Sequence, residues 1–274
     1  MHTVSVRGVD VPSLGFGTFQ LEGDDCQRGV SHALDVGYRH IDTAQMYGNE
    51  DRVGAAIGVS GVDRGDIFLT TKLDNDFHAA HDVRSSTEES LRKLGTDYVD
   101  LLLIHWPVSD TPIEDTLEAM LELREEGKVR NVGVSNFTPE LVARAAEHAP
   151  VFANQVEYHP YLSQSELLRI AEINDFMLTA YSPLARGKML DDPTVRDIAE
   201  AHDAEAAQVA LQWLLRQDRV SAIPKATSPE HIESNFAALD IELSAVDVER
   251  ITDLDTGQRE IDPPFAPWRD EDEA

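Results

Sequence analysis

Short runs of apolar or β-branched residues recur along the chain, and each is followed by a longer stretch with apolar positions three and four apart. Runs that are continuously apolar, such as residues 101–104, suit strands buried on both faces beneath covering helices. They predict strands near 14–18, 40–43, 67–71, 100–105, 132–135, 153–156, 177–181 and 222–225. The helical period predicts helices near 24–36, 49–57, 83–94, 113–126, 138–147, 165–173, 206–216 and 229–236. Ile113, Leu117, Met120 and Leu121 form one apolar stripe, and Gly127 stands where a left-handed residue closes a helix. Thr138-Pro139 and Ser228-Pro229 each place a capping residue before a proline at the first helical position. Eight alternating strand–helix units predict an α/β fold, a parallel (β/α)8 barrel of the TIM type rather than an open sheet. Residues 4–11 predict a β-hairpin turning at Arg7-Gly8 that could plug the barrel floor. Two helical stretches, 193–202 and 244–254, exceed the eight-unit count. No linker rich in Gly, Pro or Ser interrupts the pattern, so residues 1–274 are expected to form a single domain.

Composition narrows the setting. No apolar run reaches the roughly 18 residues of a membrane span, and the N-terminus lacks the pattern of a secretory signal. A lone cysteine, Cys26, rules out an internal disulfide or a cysteine metal cluster, and a reducing cytoplasm is expected. Acidic residues number 51 against 23 basic ones, giving a formal net charge of -28. The acids are spread along the whole chain, as expected of an acidic surface suited to molar salt, where charges are screened over about 3 Å. An acidic face for a basic partner is the alternative. Either surface would repel nucleic acid and anionic lipid. Only five lysines are present, so Lys72 and Lys225, placed at predicted strand ends, stand out.

In a barrel of this type, chemistry gathers at the C-terminal ends of the strands. Those ends carry Gly17-Thr18, Asp42, Lys72, His105, Ser135-Asn136, Gln155, Tyr181-Ser182 and Lys225. Taken singly, each has a plainer use: Asp42 as a helix cap, Tyr47 as a rim aromatic, Lys72 as a solvated cation, His105 as a core histidine. Together they form a possible carbonyl-reducing set. A phenol with a pKa near 10 is a poor acid at neutral pH unless a cation stands beside it.

The segment Gly37-Tyr38-Arg39-His40-Ile41-Asp42-Thr43-Ala44-Gln45-Met46-Tyr47-Gly48-Asn49-Glu50, with Val53-Gly54, resembles the first signature of the aldo-keto reductases. Val129-Arg130-Asn131-Val132-Gly133-Val134-Ser135-Asn136-Phe137 resembles a second signature and Ile223-Pro224-Lys225 a third. Segments 102–107, 154–160 and 180–187 also read like family segments in the right order, so the likeness runs from Leu14 to about Leu254. The overall pattern is similar to prokaryotic members resembling diketogluconate and methylglyoxal reductases. The resemblance implies a barrel that binds a nicotinamide cofactor without a Rossmann domain, and no Gly-x-Gly-x-x-Gly follows a strand here.

It carries a catalytic tetrad onto Asp42, Tyr47, Lys72 and His105. Tyr47 would donate a proton to the carbonyl oxygen, with Lys72 lowering the phenol's pKa, Asp42 holding Lys72, and His105 orienting the substrate oxygen. No metal is implied. For the cofactor, Ser135, Asn136 and Gln155 match positions that bond the carboxamide, and Tyr181 matches the aromatic under the nicotinamide ring. Gly17 and Thr18 would lie beside the ribose, and Ser182, Pro183, Leu184, Arg186 and Gly187 would wrap the pyrophosphate. Lys225, His231 and Asn235 fall at the adenosine end. There the chain departs from the NADPH-type pattern: Ala226 and His231 replace a serine and an arginine, and Ser234 replaces a Glu or Gln. NADP(H) with NAD(H) also accepted is the expectation, because an imidazole does not reproduce a bidentate guanidinium.

Phe19 and Trp106, and with them Phe77 or Trp268, are candidates for an apolar mouth taking small aldehydes, dicarbonyls or keto-sugars. The protein is expected to act as a monomer, with an oligomer left open. Two rivals stay open: a cofactor-binding sensor of the same fold with little turnover, and another barrel enzyme such as a phosphate-binding isomerase.

Overall fold

The structure, a computed structural model, describes residues 2–271. Strands β1 (Thr3–Val6) and β2 (Val9–Pro12) pair antiparallel, with Val6 opposite Val9. Arg7 and Gly8 join them at φ 48° and 79°, the left-handed turn whose twist matches its flanking strands. Eight parallel strands follow: β3 (Phe16–Gly17), β4 (His40–Asp42), β5 (Phe68–Leu73), β6 (Val99–Ile104), β7 (Val129–Ser135), β8 (Ala153–Glu157), β9 (Met177–Tyr181) and β10 (Val220–Ala222). Each pairs with its neighbour in chain order. A parallel bridge between Leu14 and Ala222 closes the ring. There the Gly15 N–H donates to the Ala222 carbonyl at 2.8 Å, and the Ala222 N–H to the Ser13 carbonyl at 2.8 Å.

Helices α1 (Gly23–Val36), α2 (Glu50–Val59), α3 (Ala80–Leu94), α4 (Ile113–Glu125), α5 (Pro139–His148), α6 (Ser165–Asn174), α8 (Ala206–Leu215) and α9 (Pro229–Phe236) follow successive strands, as the period predicts. The two surplus helices are α7 (Pro193–Ala201) and α10 (Ala245–Thr252). A short α11 (Trp268–Glu271) has no counterpart in the periodicity. Gly127, at φ 77°, follows α4 as its pattern requires. The Ser228 hydroxyl caps α9 through the His231 N–H, whereas the Thr138 hydroxyl donates to Glu140 instead of capping α5.

Two strand boundaries moved for visible reasons. β7 begins at Val129, ahead of the predicted 132, although Arg130 and Asn131 interrupt its apolar run. Both side chains are placed productively: the Arg130 guanidinium lies 3.8 Å from the Tyr98 ring centre, and the Asn131 amide donates to the Asp100 carbonyl. β10 occupies 220–222 rather than 222–225, because the chain leaves the ladder before Pro224.

At the floor, Val4, Val6 and Val11 of the hairpin pack with Phe68, Leu101, Leu103, Phe152, Ala153 and Met177. The hairpin therefore seals the N-terminal end of the strands. Their C-terminal end is left open to build a cleft.

Candidate active site

Lys72 lies on β5, 1% exposed, an unusual burial for an ammonium. Its Nζ donates to Asp42 Oδ1 at 2.5 Å, to the Thr43 carbonyl at 2.8 Å and to the Tyr47 hydroxyl at 3.4 Å. The ammonium's three protons thus have three oxygen partners. The second Asp42 oxygen accepts from Gln155 Nε2 at 2.7 Å, so the carboxylate is held from two strands. The His105 ring meets the Tyr47 ring edge-on, centres 5.7 Å apart. His105 Nδ1 is buried without a partner.

Burial is the leading influence on every shifted group here. It lowers the Lys72 pKa, with Asp42 opposing. It lowers His105 well below the ordinary imidazole value, aided by the Lys72 charge. It raises Tyr47 well above the ordinary phenol value, and the Asp42 charge adds to the rise. The Lys72 ammonium, 3.4 Å from the Tyr47 hydroxyl, is paired at 2.5 Å with Asp42. Burial and the Asp42 charge thus favour the neutral phenol at Tyr47.

Above these residues opens a cleft of about 1120 Å³, larger than a drug-sized ligand requires. Asp42, Tyr47 and His105 line its inner end, and Lys72 sits behind them. A hydrogen-bond chain runs along the wall. The Tyr181 hydroxyl donates to Asn136 Oδ1 at 2.7 Å, the Asn136 amide donates to the His105 carbonyl, and the Ser135 hydroxyl donates to the Gln155 carbonyl. Asn136 holds this place at φ 63°, a left-handed conformation that asparagine tolerates better than most residues.

A model of the aldo/keto reductase family matches residues 13–256. The chain belongs to the aldo-keto reductase family. An aldo-keto reductase of Mycolicibacterium smegmatis is 42% identical over 255 residues, covering 92% of each chain. The methylglyoxal reductase DkgB of Escherichia coli O157:H7 is 41% identical over 260 residues, covering 92% of this chain and 96% of its own. A crystal structure provisionally assigned as a 2,5-diketo-D-gluconic acid reductase B superposes with a TM-score of 0.94 at 43% identity, covering 97% of this chain and 96% of the other. Members of the family are oxidoreductases that use a nicotinamide cofactor.

Most sequence-predicted site residues of this aldo-keto reductase line the one cleft. They are Gly17, Phe19, Trp106, Ser135, Asn136, Gln155, Tyr181, Ser182, Pro183, Leu184, Arg186, Gly187, Lys225, His231 and Asn235. Thr18 does not: it is fully buried, its hydroxyl spent on the Asp42 carbonyl. Phe77 lies outside the cleft, and Trp268 reaches it only through Trp106, 5.7 Å between ring centres. Ser228 is occupied in capping α9, which leaves Thr227 as the cleft-lining hydroxyl beside Lys225.

The cleft also holds residues that sequence reasoning missed. Glu205 precedes α8 on the wall shared with Ser234, whose hydroxyl donates to it at 2.7 Å. Ile261, Pro263 and Phe265 come from the C-terminal segment, which has no period to reveal it. Among the described residues, no cluster of His, Cys, Asp and Glu could hold a metal ion, and no helix is long and apolar enough to cross a membrane.

Proposed function

We propose that this aldo-keto reductase reduces small aldehydes, ketones, dicarbonyls or keto-sugars with NADPH, with Tyr47 as proton donor. The observation that carries the reading is the buried Lys72, held against Asp42 at 2.5 Å and reaching the Tyr47 hydroxyl at 3.4 Å, at the inner end of the cleft. A nicotinamide, when bound, supplies the hydride. Tyr47 gives its phenolic proton to the developing alkoxide, and Lys72 steadies the tyrosinate left behind. Asp42 and Gln155 keep Lys72 aimed. His105, held neutral by burial, donates one N–H to the substrate oxygen and fixes its orientation. Tyr47 in its protonated form is the donor the reductive direction requires, and that direction is the proposed one.

The residues present fit the cofactor. Polar groups of Ser135, Asn136 and Gln155 converge beside the Tyr181 ring, which its bond to Asn136 holds in place. Arg186, Lys225 and Thr227 face the far arm of the cleft, where a pyrophosphate and a 2′-phosphate would need them. The absence of an arginine at 231 and the presence of Glu205 on the same wall weaken phosphate selection. NADH is therefore expected to serve as well, less efficiently.

We further propose a cytoplasmic monomer. The substrate class draws on DkgB, named a methylglyoxal reductase, and on an apolar mouth built from Phe19, Met46, Trp106 and Phe265. A panel of methylglyoxal, glyceraldehyde, diketogluconate and aromatic aldehydes, assayed with each cofactor, tests the reading. Reduction of several members with NADPH is expected. Tight NADPH binding without turnover would instead make the protein a cofactor sensor, and equal or better efficiency with NADH would overturn the NADPH preference.

A further inference from the structure

Two places beyond Gln155, β8 ends in a buried acid, Glu157. Alternation along a strand puts Gln155 and Glu157 on one face, so Glu157 stands a step nearer the mouth. It is 1% exposed. Its Oε1 accepts the Glu260 backbone N–H at 2.7 Å, and its Oε2 accepts the Ile261 N–H at 3.1 Å. His159 Nε2, fully buried, lies 2.9 Å from the same Oε1. A buried carboxylate is costly unless donors surround it. Here the donors include two backbone amides from a segment more than 100 residues away in sequence.

That segment crosses the cleft. Ile261, Pro263 and Phe265 line it, and the Phe265 ring meets Trp106 edge-on at 5.3 Å between centres. The strap is thus held at its start by β8 and at its far side by the residue after His105. An ion pair at 2.7 Å between Lys188 and Glu260 ties its start to the loop after β9. The reduction chemistry described above makes no use of Glu157.

We propose that Glu157 is a positioning residue for the substrate rim. By fixing the backbone at 260–261 it sets Ile261, Pro263 and Phe265 at a defined height across from Tyr47, and so governs which carbonyl substituents fit. The proposal rests on the carbonyl-reductase reading for its substrate consequences, and on geometry alone for the anchor.

Glu157→Gln keeps the shape, removes the charge and turns an N–H donor toward amides that need an acceptor. In the full-length protein, the amides of residues 260 and 261 should exchange with deuterium about tenfold faster, the cost expected for weakened bonds to a charged acceptor. KM for a nitrobenzaldehyde should rise about tenfold while that for methylglyoxal moves less than about twofold, since only the larger ring reaches the rim. Glu157→Asp, which keeps the charge on a shorter stem, should shift the same quantities less. Phe265→Ala should raise the nitrobenzaldehyde KM too, and the double variant should fall short of the product of the two effects. Unchanged exchange at 260–261 would overturn the anchor, and KM values rising alike for both substrates would overturn the rim role. If the wild-type protein reduces no carbonyl, the functional reading fails, yet the exchange experiment still decides the anchor.

Discussion

Tyr47 combines a raised pKa with a place at the inner end of the cleft, so the proposed role puts most of the chemistry on one oxygen. Tyr47→Phe should lower kcat by about 10²–10⁴-fold with NADPH binding retained, as read by quenching of tryptophan fluorescence. Lys72→Met should add a structural penalty of about 3–5 kcal/mol in urea unfolding, because it strands Asp42 as an unpaired buried charge. The histidines set a pH dependence. His40, His78 and His105 all have pKa values lowered by burial. In the unfolded chain each would take up a proton near pH 6.5. Below that pH the unfolded state binds more protons than the folded one, so stability should fall progressively as pH drops toward the lowered folded values. Thermal unfolding across pH 4.5–8 checks this, and His105→Gln should flatten the slope. Asp42, Lys72 and His105 were legible because a polar residue ending an apolar run is conspicuous, and Tyr47 because of the motif around it. Glu157 was not, since one more acid in an acid-rich chain carries no signal until its partners at 260–261 come into view.

Among the elements, the floor hairpin has the plainest energetic role. Its valines cover Phe68 and Phe152, whose rings stack 6.1 Å apart at the closed end of the barrel. Phe152→Ala should destabilise the fold by about 3–5 kcal/mol in urea while kcat per folded molecule stays near wild type, because the cleft lies at the opposite end. Periodicity revealed the hairpin, all eight barrel strands and ten helices. It faltered where tertiary partners override local pattern. Arg130 and Asn131 look like a strand breaker until Tyr98 and the Asp100 carbonyl accept them. The C-terminal segment gave no signal because its place depends on Glu157 and Trp106, which are distant in sequence.

Across the whole molecule, 51 acids against 23 bases set up a self-repulsion that no single pair relieves. We predict that the melting temperature rises as KCl goes from 0.1 M to molar levels, with screening shortening from about 10 Å to about 3 Å. A melting temperature that falls or holds steady would remove the case for adaptation to brine. The ring closure carries a different kind of consequence. Its last joint is narrow: Leu14 bridges Ala222, and Gly17, where an added Cβ would come within 2.8 Å of the Ile223 carbonyl, donates to Pro224. During synthesis on the ribosome, β3 must therefore wait with an unpaired edge until almost the whole barrel sequence has emerged. Nascent chains arrested before Ala222 should be the aggregation-prone ones, and the ring-closing side of the cleft should be the last part of the enzyme to form.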